Sequence, residues 1–189
     1  MLCIGISNPR NYGQLGEDAV ISNHIQWLGL NIGEKGAYLD IGCNHPWIGS
    51  NTFKFYKNVQ CGYVVDVGKE KQLFWKRFRP NDYFINTAVV PNNYSKEFVI
   101  FNLGSKYGKP TAHIEGQGIV VNNSNNFKIK AKATKAKDIC SIVLSNPKWK
   151  DAKWRILDID VEGLDYEILT SLDLKQLKPD IVSIESFPP

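Results

Sequence analysis

The sequence is poor in the residue patterns that mark metal and disulfide chemistry. Its four cysteines, at positions 3, 43, 61 and 140, form no C-x-x-C pair and are not matched with nearby histidines. That excludes the usual zinc spacings and a disulfide framework, and leaves four reduced thiols in a reducing compartment as the expectation. No apolar run approaches the roughly 20 residues needed to span a bilayer. The N-terminus has no basic segment leading into an apolar stretch and a small-residue cleavage site, so a cytoplasmic location is expected. Charge of one sign is scarce too: the net +4 slightly favours anionic partners and is too little to argue for nucleic acid. Internal repeats and obvious linkers are missing. The 189 residues, 43% hydrophobic and 22% charged, suit one folded domain around a single core and exclude disorder.

What is present is an alternation of strands and helices. Gly16-Glu17-Asp18 introduces a helical pattern with Ile21, Ile25 and Leu28 on one face and two acids at its positive end. Ala37 to Ile41 reads as a buried strand stopped by Gly42, and Ser50 can cap a helix through Asn51–Lys57. Gly62–Asp66 is a second strand, Lys69 to Arg79 a charged helix stopped by Pro80, and Tyr83 to Val90 a third strand. This order predicts a parallel α/β sheet.

Residues 91–128 break the rhythm and read as a β-rich insertion, with strands at 97–101 and 118–121 and a turn at Asn122–Asn126. Phe127 to Thr134 alternates Lys128, Lys130 and Lys132 with apolar residues, the pattern of a half-buried strand whose lysines protect an edge or meet an anionic acceptor. Helical sequence follows from about Lys137 to Leu144, then a strand to Asp160, a helix through Glu167–Leu172, and a fifth strand, Asp180–Glu185.

In open parallel sheets, ligands bind beyond the carboxyl ends of the strands. Those ends are acidic here: Asp40, Asp66, Asp160 and Glu185, with Asn86 at the end of the third strand. Gly42 lets a ligand come close to the backbone, where Asn44, Ser50 and Asn51 can meet an amine or carboxylate. Asp66 can accept both hydroxyls of a ribose. The residues after Gly42 are Cys-Asn-His-Pro-Trp-Ile-Gly, without the second glycine of G-x-G-x-x-G that a pyrophosphate needs. That argues against NAD or FAD. S-adenosylmethionine, which has no phosphate and carries an ammonium group, fits better.

Several blocks then make a more specific match. Gln14-Leu-Gly-Glu-Asp18, Tyr38-Leu-Asp-Ile-Gly-Cys-Asn-His-Pro46, Ser50-Asn-Thr52 with Phe55-Tyr56, Gly62-Tyr-Val-Val-Asp66, Arg79-Pro-Asn-Asp82 with Asn86, and Ile159-Asp-Val-Glu-Gly163 with Glu167-Ile-Leu169 follow one another. In that order they resemble the FkbM family of methyltransferases. The resemblance implies a Rossmann-like class I methyltransferase fold and transfer of a methyl group from S-adenosylmethionine to an oxygen, with sugar or polyketide-like hydroxyls as acceptors. It places Gln14, Glu17, Asp40, Gly42, Asn44, Ser50, Asn51, Asp66 and Asn86 around the cofactor.

Asp160 and Glu162 are the candidates for a base or an acceptor grip, with Glu185 facing the same crevice. Three carboxylates there could also hold Mg²⁺, although acids that orient sugar hydroxyls explain the same residues. Asp158 and Asp165 depart from the family's usual residues. The sequence stops at Pro189, just past the fifth strand, where this class usually adds a helix and a hairpin. A short C-terminus is therefore expected. Two other readings remain open at this point: an RNA ribose 2′-O-methyltransferase using the basic strand, and a module that binds the cofactor or a partner without turnover.

Overall fold

A computed structural model describes residues 11–106, 109–114, 127–161 and 163–185. In chain order, α1 is Glu17–Trp27, β1 Gly36–Ile41, β2 Val59–Asp66, α2 Lys69–Phe78, β3 Asp82–Asn86 and β4 Ala88–Val90. β5 (Phe98–Lys106), β6 (Lys109–Ile114) and β7 (Phe127–Lys135) follow, then α3 (Ala136–Leu144), α4 (Pro147–Asp151), β8 (Arg155–Ile159), α5 (Asp165–Ser171), α6 (Leu174–Leu177) and β9 (Ile181–Ile184). Between β1 and β2 the chain makes only one short 3₁₀ helix, Phe53–Asn58. Ser50 accepts the Phe53 N–H at 3.2 Å, so its hydroxyl serves this helix, which begins later than the sequence pattern indicates.

Five strands pair in the order β3-β2-β1-β8-β9, and every pairing is parallel. The chain runs outward from β1 to β3, then returns to the other side of β1 for β8 and β9. The switch therefore falls between β1 and β8, where an open sheet leaves its ligand crevice.

The period of two along each strand divides the core into two layers. Ala37, Leu39 and Ile41 of β1 and Cys61, Tyr63 and Val65 of β2 pack with Ile139 and Val143 of α3, Trp149 of α4 and Ile168 of α5. Tyr38, Val64 and Ile156 pack on the opposite face with Ile21 and Ile25 of α1, Phe55, and Trp75 of α2. This is a mostly parallel sheet covered on both faces by helices, the expected α/β Rossmann-like methyltransferase architecture. Leu28, expected on the buried face of α1, lies past the helix end and is 47% exposed.

The expected third strand is two strands in two sheets. β3 closes the edge of the parallel sheet, and after Thr87 the chain passes into a second sheet of order β4-β7-β5-β6. Thr87 is the pivot: its N–H reaches the Asp66 carbonyl at 3.0 Å, and its hydroxyl donates to the Lys132 carbonyl at 2.8 Å. β7 is not an edge strand, because it lies between β4 and β5. Lys130 places its ammonium 3.9 Å from the centre of the Phe98 ring. The expected strand at 118–121 and turn at Asn122–Asn126 lie outside the described residues. No described helix is long and apolar enough to cross a membrane.

Candidate active site

The turn after β1 is held by the strands on both sides of it. Gly42 has φ +93°, and a methyl group there would overlap the carbonyl oxygen of Asp160. Only glycine lets β1 and the end of β8 come this close. The N–H groups of Gly42 and Cys43 both reach the Val65 carbonyl, and the Asp160 N–H reaches that of Ile41. Asn44 then adopts φ +42° and gives its N–H to Asp66 at 2.8 Å.

Asp66, at the end of β2, accepts three donors. Asn44 N–H and Lys71 Nζ (2.7 Å) share Oδ2, while Val67 N–H takes Oδ1 at 2.6 Å. Lys71 comes from the first turn of α2 and is 40% exposed, against 11% for Asp66. Asn86 accepts the Gly68 N–H at 2.9 Å and so steadies the start of α2 beside Asp66. His45 accepts the N–H groups of Trp47 and Ile48 on Nδ1. It stabilises the turn, and burial lowers its pKa.

Beneath this turn lies a buried polar network that sequence reasoning did not find. Arg79, fully buried, donates Nε to Asp82 at 2.7 Å and its other nitrogens to Tyr38 Oη, the Pro46 carbonyl, Ser50 Oγ and Thr52 Oγ1. Its guanidinium also stacks 4.4 Å from the centre of the Trp75 ring. Thr52 in turn donates to Asp40 at 2.5 Å. Asp40 and Ser50 therefore lie beneath the turn, both buried, and belong to the framework that fixes it. An arginine before a proline gives no periodic signal of burial, and only the nearby Asp82 could have hinted at a partner.

Asp40 and Asp158 face each other in register across β1 and β8. Burial raises the Asp40 carboxyl well above the ordinary range, and Asp158 adds to the rise, against the Thr52 hydroxyl. Asp158 is pushed up to about 6 by burial, against hydrogen bonds from Ser183 and Asn51. Asn51 gives Nδ2 to both Asp158 oxygens at 3.3 and 3.2 Å. Its Oδ1 is buried and has no hydrogen-bond partner among the described residues.

A cleft of about 360 Å³ opens here, lined by Gln14, Glu17, Asn51, Asp158, Asp160 and Glu185 among others. Among the described residues no lysine or arginine lines it. The segment before α1 forms one wall, pinned because Asp18 accepts the N–H groups of Tyr12 and Gly13. Asp160 shares a hydrogen bond with Glu185, and burial raises its pKa, with Asp165, Glu17 and Asp66 adding to the rise.

Asp160, Asp165 and Glu185 each bring a carboxylate oxygen within 4.8 Å of the others. Asp165 thus joins the pair where Glu162 was expected, and Glu162 lies outside the described residues. Asp165 also caps the loop ahead of α5, accepting the Val161 and Gly163 N–H groups.

A glycine turn after β1, an acid closing β2 and an acidic cleft at the ends of β8 and β9 now stand on one sheet. Residues 35–189 match the family described as the methyltransferase FkbM domain. The chain belongs to the FkbM methyltransferase family. No curated protein and no solved structure matches it. The family match includes the β1 turn, Asp66 and the acids after β8 and β9. Gln14 and Glu17 lie ahead of it, yet they line the same cleft as Asp160 and Glu185.

Proposed function

We propose that the chain transfers a methyl group from S-adenosylmethionine to a hydroxyl oxygen of a sugar or other small-molecule or glycan acceptor. The observation that carries this is the acidic cleft at the ends of β8 and β9, whose Asp160 carbonyl abuts the Gly42 turn. The residues fit the cofactor. Gly42, at φ +93° with the Asp160 carbonyl where a Cβ would stand, sets the turn directly beside Asp160. The unmatched Asn51 Oδ1 offers an acceptor to an ammonium group. The acids suit a ligand with a sulfonium and an ammonium, both of which gain in a partly buried anionic site. Asp66 would take the ribose hydroxyls, with Asn44 and Asn86 holding the surrounding backbone.

When bound, S-adenosylmethionine supplies an electrophilic methyl group on sulfur. The chain's own contribution is position and proton transfer. Asp160 would take the proton from the acceptor hydroxyl. Glu185, hydrogen-bonded to Asp160, orients that carboxylate, and Glu17 closes the opposite wall. Asp165 is engaged by two backbone N–H groups, and acids that grip acceptor hydroxyls account for Asp160 and Glu185 without an ion.

Calorimetric titration with S-adenosylhomocysteine, on wild type and Asp66→Ala, tests the cofactor site. Saturable binding that the substitution abolishes is expected, followed by methylation of members of a sugar acceptor panel. Folded wild type that binds neither S-adenosylhomocysteine nor S-adenosylmethionine would end this reading.

A further inference from the structure

Outside the cleft, an aromatic cluster stands on the surface. The loop after β1 lays His45 and Trp47 against Phe74 and Phe78 of α2. Ring centres lie 4.4 Å apart for His45–Trp47 and Trp47–Phe78, 4.6 Å for Phe74–Phe78 and 5.3 Å for Trp47–Phe74. Only the short 3₁₀ helix separates β1 from β2, and this side of α2 is left open. Phe74 and Phe78 are 38% and 41% exposed, and beside them Ile48 and Leu73 reach 65% and 70%. Apolar surface exposed on this scale, on the loop and on α2, points to an interaction site.

The charges around the face indicate its partner. α2 carries Lys69, Lys76 and Arg77, all exposed, against a single acid, Glu70. Arg77 lies 5.6 Å from the centre of the Phe78 ring, at the border of the apolar face. Exposed aromatic and aliphatic side chains rimmed by lysine and arginine on a short helix match the chemistry of an anionic lipid interface. Sugar stacking fits less well. Four of the five ring pairs meet edge to face, at 67° to 81°, so the rings do not form one flat stacking platform. Self-association fits less well too, because a two-fold contact centred here would bring the cations of one copy against those of the other.

We propose that the face formed by Trp47, Ile48, Leu73, Phe74 and Phe78, with Arg77 at its rim and Lys76 next along α2, docks the protein on an anionic lipid surface. The apolar side chains enter the headgroup boundary, and the cations remain at the level of the lipid phosphates.

The test is co-sedimentation of the full chain with vesicles of phosphatidylcholine alone and of phosphatidylcholine with about 30% phosphatidylglycerol, at about 0.1 M salt. Pelleting with the anionic vesicles only is expected. Ile48→Ser with Leu73→Ser, both largely in solvent, should lower the bound fraction at least about tenfold. Lys76→Glu with Arg77→Glu should do the same. Circular dichroism and thermal unfolding establish that each variant is folded. Folded wild type that stays in the supernatant with anionic vesicles overturns the proposal. So do variants that pellet like wild type. A concentration-dependent dimer lost in the Ile48/Leu73 variant, without vesicle binding, would assign the face to a second copy and overturn it as well.

Discussion

Replacing Arg79 by methionine would remove the one group that ties β1, the turn after it and β3 together. The substitution roughly preserves side-chain length, so most of the cost is electrostatic and hydrogen-bonding rather than a cavity. It deletes the Nε bond to Asp82 and the donors to Pro46, Ser50, Thr52 and Tyr38. Asp82, whose side chain is 2% exposed, would be left with the Tyr38 hydroxyl as its partner in the network. Breaking one side of a buried ion pair costs about 3–5 kcal/mol. In a domain of this size each kcal/mol moves the midpoint of thermal unfolding by about 2–4 °C, so a fall of about 6–20 °C is expected. Removing both charges, with Arg79→Met and Asp82→Asn, should recover part of that loss, because the second change relieves the stranded carboxylate. Calorimetry on wild type, both single variants and the double variant would close the cycle. A fall below about 2 °C for Arg79→Met, or strict additivity in the double variant, would refute a buried arginine that anchors the turn.

Three further outcomes follow from the site. Gly42→Ala should give a chain that fails to fold or to bind S-adenosylhomocysteine, since the methyl overlaps the Asp160 carbonyl at a left-handed φ; native-like binding in that variant would contradict the close approach of β1 and β8. Asp158, raised from 3.8 to about 6, holds a proton in the folded chain that the unfolded chain releases. Its contribution is full below about pH 4 and is lost as pH rises through about 6, a change of about 3 kcal/mol. Urea unfolding between pH 4 and 7 should therefore show a flatter profile for Asp158→Asn than for wild type, and parallel profiles would count against the buried carboxyl. Asp160→Asn should retain cofactor binding while lowering kcat by about 10²–10⁴. In the wild type, turnover should rise with pH through a midpoint above the ordinary carboxylate range, as the raised Asp160 loses its proton. A variant with unchanged kcat would remove Asp160 from the role of base.

The parallel sheet was legible because its strands are short apolar runs that end in a glycine or an acid, as at Ile41-Gly42 and Val65-Asp66. The helix after β2 was legible from its charges and from Pro80. The division of Tyr83–Val90 was not, since a run of β-formers carries no mark of a change of sheet. Thr87 makes that change through bonds to Asp66, Lys132 and Thr134, all distant in sequence. The strand-end acids stood out in the chain, yet their different surroundings did not. Asp40 is sealed beneath the turn against Thr52, whereas Asp160 borders the cleft, and both simply follow apolar or branched residues in sequence. Asp158 showed only as an odd acid in a strand. Its burial opposite Asp40 depends on the register of two strands more than 100 residues apart, which no local pattern encodes.

Lys71 sits on the carboxylate of Asp66 at 2.7 Å. Any ligand that takes Oδ2 of that carboxylate must exchange places with an amine, so binding there is a substitution rather than the filling of a vacant seat. The displaced lysine would face water, free of its counter-ion and more open to acylating reagents. The rate at which Lys71 is acetylated, followed by mass spectrometry of its peptide, would then report site occupancy without a labelled ligand or an identified acceptor.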